Sequence, residues 1–163
     1  MKALTLADVH DWLTYDAMTG LLHWKKSPRY GIASGTVAGS KNKRGYLAVN
    51  ICGQKLYAHR LAWLLSHGAW PESGVAHING NKEANRIANL RVIPQALNVQ
   101  NKRNASSRNS TGLLGVSRAR GNRFAAFIGV GKRNQYLGQF ATAQEAQEAY
   151  LAAKRQLHPA CTI

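Results

Sequence analysis

The sequence predicts an α+β protein in two small units, on three observations. Short strand-like runs alternate with segments of helical period, a polar basic stretch without apolar period (NKRNASSRNSTG, 101–112) divides the chain, and three strand candidates followed by one amphipathic helix lie beyond it. At 163 residues the chain has room for one ordinary domain or two small ones. The expected boundaries are 1–100, with a strand–loop–strand–helix core at about 74–102, then a flexible linker at 101–112 and a second unit at 113–163.

Taken in order, TLADVHDWLTYDAMTG reads as a helix, with Thr5 as N-cap, Asp8 three residues on, and Gly20 in a turn beyond its end. Leu21–Trp24, Gly45–Ile51 and Gln54–His59 carry strand-like residues, the last two joined as a hairpin through a Gly53-Gln54 turn. RLAWLLSHG places Leu61, Leu64 and Leu65 at helical spacing and stops at Gly68 and Pro71. GVAHI and NLRVI are two short strands around the loop NGNKEAN, and Pro94 opens a closing helix, PQALNVQNK. Past the linker, GLLGVSRA, RFAAFIGV and NQYLGQF are three strands separated by RGN and GKR turns. Thr142 and Glu145 form a capping box for a last helix whose stripe is Ala146, Ala149, Tyr150, Ala153 and Leu157, ended by Pro159.

Charge is the strongest global signal. Twenty-two Lys and Arg stand against seven Asp and Glu, a formal +15. Residues 1–100 hold 12 bases and 5 acids, residues 101–163 hold 10 and 2, so both parts are basic. A polyanion is the expected partner, double-stranded DNA before an anionic membrane surface. No run is long and apolar enough to cross a membrane, and MKALTLADVHDW lacks the apolar stretch of a signal peptide. Cys52 and Cys161 are far apart and form no CxxC pair, which argues against a disulfide framework or a cysteine zinc site and suits a reducing cytoplasm.

The segment GVAHINGNKEANRIANLR concentrates candidate chemistry: one histidine, asparagines at 79, 81, 85 and 89, and the bases Lys82, Arg86 and Arg91. Hydrolysis of a phosphodiester needs a group to take a proton from water, and a neutral imidazole suits that work near neutral pH. Hard oxygen ligands suit a divalent cation, asparagines tie down loops, and Lys and Arg dock phosphates. Asn79, Asn81 and Asn85 read as turn formers.

HRLAW, then GVAHINGNKEANRIANLR, then ALNVQNK, with YDAMTGLLHWK and GSKNKRGYLAVN upstream, resembles the HNH (His-Me finger, ββα-metal) endonucleases of phages and mobile introns over about Tyr15–Lys102. Asparagine follows His77 by twelve residues and again by nine. The resemblance implies a homing-type nuclease that hydrolyses DNA with a divalent metal, Mg2+ or else Mn2+, in the cytoplasm of a phage host. It makes His77 the general base, Asn89 the residue that fixes the loop and orients the imidazole, and Asn98 a metal ligand. The family's aspartate ligand precedes the histidine; here that position is Ala76, and the later DN pair also has alanine, Ala84. Impaired cleavage is the expectation, with Glu83 and His59 as the nearby alternative ligands. The rival expectation is a non-catalytic DNA-binding regulator on the same scaffold.

Residues 110–159, through GVS, FAAFI, LGQF-T and EAQEAY, resemble the plant ethylene-response-factor (APETALA-type) DNA-binding domain, whose sheet lies in the major groove. Independently, strand period places Phe124, Ala126, Ile128 and Val130 on a face covered by the helix, and Arg123, Phe127 and Gly129 on the other. Ser117, Ala119, Asn134 and Tyr136 are expected to join that outer face. Arg118, Arg120, Lys132 and Arg133 near its turns, with Lys102, Arg103 and Arg108 in the linker, are expected to grip phosphates. A monomer without a small-molecule cofactor is expected.

Overall fold

A computed structural model describes residues 4–29 and 31–162. The chain divides into two compact units, the first ending at Pro94 and the second starting at Gln95.

The first unit opens with α1 (Leu6–Trp12), whose N-cap Thr5 accepts from the Asp8 backbone N–H while the Asp8 carboxylate takes the Thr5 N–H. The helix is shorter than its sequence pattern predicts. Leu13–Asp16 is strand β1, paired antiparallel with β2 (Leu21–Trp24), Leu13 opposite Trp24. The turn chemistry wins over helical period here: Asp16 accepts from the Met18 and Thr19 backbones and the Thr19 hydroxyl, closing a tight hairpin. β3 (Ser40–Lys41), β4 (Leu47–Ile51) and β5 (Gln54–Tyr57) form an antiparallel sheet in that order. Its β4–β5 turn is Cys52-Gly53, both at positive φ, one residue earlier than predicted.

α2 (Ala58–His67) buries Ala58, Leu61 and Leu64 against Val9, Leu13, Leu22, Trp24, Val49 and Ile51, and ends at Gly68 in the left-handed conformation. Ala62, on its other flank, packs on Val75 and Leu90 of the hairpin made by β6 (Gly74–His77) and β7 (Leu90–Ile93). That packing fixes the hairpin's position: fully buried side chains of the size of Val75 and Leu90 contribute about 1.5–3 kcal/mol each.

The second unit begins with α3 (Gln95–Asn98), a single turn continued as 3-10 helix through Asn101. Segment 101–112 is tied into this unit and is not a free linker: Arg103 Nη2 donates to the Thr162 carbonyl and hydroxyl, buried Lys154 donates to the Lys102 carbonyl, and Asn109 Nδ2 donates to Leu113 O and Val116 O. Composition misses this because every partner is a backbone carbonyl or a polar side chain. β8 (Val116–Arg118), β9 (Phe124–Val130) and β10 (Arg133–Phe140) form a sheet with β9 central, and α4 (Ala143–Leu157), capped by Thr142 and Glu145, packs on one face.

Two inward assignments differ from the sequence pattern. Val130 is exposed because β9 runs out at the turn, and Leu157, on the same face as buried Ala146, Tyr150 and Lys154, is exposed because α4 ends there. Lys154 is 1% exposed and its ammonium is pushed below its ordinary pKa by burial. Gly115, at φ +78, lies under the Tyr150 ring; a Cβ there would come within 2.0 Å of it, so no larger residue fits.

Candidate functional site in the first unit

His77 ends β6, opposite Leu90, and is 6% exposed. Its Nε2 lies 2.9 Å from Asn85 Oδ1. Asn85 is held on both sides: its Nδ2 donates to Glu83 O, and its carbonyl accepts from the Tyr15 hydroxyl at 3.0 Å. The bond from Nδ2 to Glu83 O fixes which end of the carboxamide meets the imidazole. The oxygen facing His77 can only accept, so Nε2 carries the proton and the neutral ring keeps its lone pair on Nδ1. Burial lowers the His77 pKa; the Asn85 bond opposes this and the nearby Lys82 charge adds to it.

Asn89 does different work. Its Nδ2 donates to Asn79 Oδ1 and Ala84 O, and its Oδ1 accepts from the Asn79 backbone, so one carboxamide spans both ends of the loop. Asn79 and Asn81 make local turns, each accepting from the backbone two residues on. The imidazole's carboxamide partner is Asn85, a residue whose sequence context matches the two turn formers and gives no separate signal.

His59, at the start of α2, is 7% exposed. Its ring meets His77 edge-on at 5.2 Å, stacks on Tyr57 at 5.3 Å and tilts against Tyr46 at 5.4 Å. Burial first, then the neighbouring His77 and Arg60, bring its pKa down to about 4, so it is neutral at pH 7. Lys82 reaches over the Tyr46 ring and donates to Arg44 O. Beside Tyr57, Lys43, Arg44 and Lys55 line a cleft of about 420 Å³ that sequence reading does not find, since hairpin packing brings it together. A larger cleft of about 740 Å³, around Trp12, Trp24 and Arg29, includes none of the histidine-site residues.

The site offers little to a metal ion. A hard divalent cation takes several oxygen ligands, with carboxylates supplying charge. Ala76 is buried, opposite Arg91, and supplies no donor. Glu83 is exposed and paired with Lys41. Among the described residues, no three His, Cys, Asp or Glu are grouped to hold a metal. Asn98, in α3, offers one neutral oxygen. The residues present do not fit Mg2+ or Mn2+.

Of the residues expected on DNA, Lys82, Arg86, Lys102 and Arg108 are exposed, and Arg91 and Arg103 are half-buried. Ser117, Arg118, Arg120, Arg123, Lys132, Arg133, Asn134 and Tyr136 are all exposed on the second unit. No helix among the described residues is long and apolar enough to cross a membrane.

A family model described as HNH endonuclease matches residues 56–100, from the end of β5 through the β6–β7 hairpin to the 3-10 turn after α3. It covers under a third of the chain and leaves the second sheet unmatched. No curated protein and no solved structure matches the chain.

Proposed function

We propose that the chain is a DNA-binding protein built on an HNH endonuclease scaffold, with cleavage disabled at position 76. The observation that carries this is the imidazole of His77, held at Nε2 by the Asn85 carboxamide, inside the segment similar to the HNH endonucleases.

In such a site a water oxygen attacks phosphorus while its proton passes to Nδ1, and the bond from phosphorus to the leaving oxygen breaks. Asn85 holds the proton-bearing side of the ring, and Asn89 keeps the loop closed beneath it. Lys43, Arg44 and Lys55 line the adjacent cleft, where cations dock backbone phosphates. The charge that builds on the leaving oxygen has no carboxylate-held cation to meet, because the ligand position is alanine. Further affinity comes from the second unit, whose strands and turns from 116 to 140 carry five cations and no acid.

A second reading, a regulator that binds DNA without cutting it, is favoured by one observation: the imidazole is almost wholly covered in this conformation. Plasmid incubated with Mg2+ or Mn2+ separates the two. If Ala76→Asp nicks and the parent does not, the scaffold is a disabled nuclease. If neither nicks while both bind duplex tightly, the protein is a regulator.

A further inference from the structure

The outer face of the second unit's sheet is not built like a reader of base edges. Across it, cross-strand pairs stack in rows: Ser117 and Gln139 flank Ala125, then Phe127 faces Tyr136, then Gly129 faces Asn134. The bulge between Tyr136 and Gly138 turns Leu137 inward and leaves Tyr136 outward, beside Phe127. Phe127 is 40% and Tyr136 56% exposed, their ring centroids 5.3 Å apart and tilted by 50°. They are the aromatic members of the exposed large hydrophobics among the described residues. With buried Ala125 on one side and Gly129 on the other, no bulky neighbour in the central strand covers the ring faces.

Charge identifies the occupant. The strands and turns from 116 to 140 carry Arg118, Arg120, Arg123, Lys132 and Arg133 and no acid. The unit's two acids, Glu145 and Glu148, are on α4, which covers the opposite face. Arg123 shares the platform's side of β9, and Arg120 and Lys132 sit in the flanking turns, whereas Arg118, opposite Phe124, lies over that ring. An apolar platform whose strands and turns carry cations as their only charges fits a polyanion that also offers flat apolar surfaces. Bases in a duplex present their edges in the grooves and keep their faces stacked on each other. Unpaired bases offer those faces, and aromatic side chains beside a basic track bind them with little sequence preference.

We propose that Phe127 and Tyr136 form a stacking platform for unpaired bases, so that this sheet binds single-stranded nucleic acid. The inference rests on the reading of the partner as nucleic acid and changes which form of it this face takes.

The test uses the full chain and two fluorescein-labelled probes, a fifteen-residue oligothymidylate and a mixed-sequence duplex of equal length, read by anisotropy. Tyr136→Leu keeps apolar bulk without a ring and is expected to weaken oligothymidylate binding roughly tenfold or more while moving duplex binding less than twofold. Tyr136→Phe is expected to bind like the parent, and Phe127→Ala to weaken like Tyr136→Leu. Circular dichroism melts establish that each variant is folded. Unchanged oligothymidylate binding in Tyr136→Leu overturns the proposal, as does an equal loss on both probes in that variant. So does conversion of a dimer to a monomer without loss of oligothymidylate binding, which would mark the face as an interface between copies. If the parent binds neither probe, the nucleic-acid reading itself fails; if it binds duplex alone, only the platform fails.

Discussion

Acid should destabilise the first unit through its paired imidazoles before Asp16 contributes. His59 has an ordinary pKa of 6.5 and is held at about 4 in the folded chain. Above pH 6.5 both states are neutral and the shift contributes nothing. Between 6.5 and about 4 the unfolded chain takes up a proton that the folded one refuses, so stability falls as pH falls. At 1.36 kcal/mol per pKa unit, the loss is about 2 kcal/mol by pH 5 and about 3 kcal/mol near pH 4. The ring is 7% exposed, so solvent does little to reduce this. His77, shifted in the same direction, adds to the loss in the same window. Asp16 is lowered from 3.8 by the bonds from Thr19 and Met18, and its contribution is lost only as pH falls below that value. Trp12, Trp24, Trp63 and Trp70 all lie in the first unit, so urea titrations followed by tryptophan fluorescence report it alone. His59→Phe keeps a ring among Tyr46, Tyr57 and His77 without a proton to gain. Between pH 7 and pH 4.5 the parent should lose about 2 kcal/mol more than this variant. Parallel losses in the two proteins would refute the reasoning, whatever the variant's stability at pH 7.

Three further outcomes follow from the same geometry. Asn85→Ala strips a buried partner from His77 Nε2 and should cost about 1–3 kcal/mol by urea titration; a change below about 0.5 kcal/mol, the size of a surface effect, would mean the bond does not hold the ring. Lys82→Ala removes a cation that lowers His77, so the imidazole pKa followed by NMR should rise, and a fall would contradict the electrostatics. DNA affinity should decline steeply with salt, and replacing Lys43, Arg44 and Lys55 together by alanine should make the log–log slope shallower by about 0.9 for each phosphate no longer neutralised; an unchanged slope would remove that cleft from the binding surface.

What the sequence makes legible here is local. The capping boxes at Thr5/Asp8 and Thr142/Glu145 are written in adjacent residues, and the structure forms both. Period alone extends α1 into 13–16, because Leu13 suits a helix stripe as well as a strand; the Asp16 turn decides, by bonds a pattern of apolar residues does not record. Lys154 is hidden for another reason. A lysine beside Ala153 reads as solvated, yet its partner, Lys102 O, lies 52 residues away. Asn85 shows the same limit within the site: three asparagines share one loop and one composition, and only packing sets Asn85 on His77 while Asn79 and Asn81 close turns. The cleft of Lys43, Arg44 and Lys55 belongs to two strands of one hairpin and its approach, so no single run of sequence displays it.

Proton transfer to His77 is tested most directly by adding the missing carboxylate and then removing the ring. Ala76→Asp and the double variant Ala76→Asp/His77→Ala would be incubated with supercoiled plasmid and Mn2+, with duplex binding measured alongside. The single variant is expected to convert plasmid to nicked circles and the double variant to leave it supercoiled, both binding duplex alike. Nicking that survives in the double variant, or an inert single variant that still binds, would contradict a base at position 77.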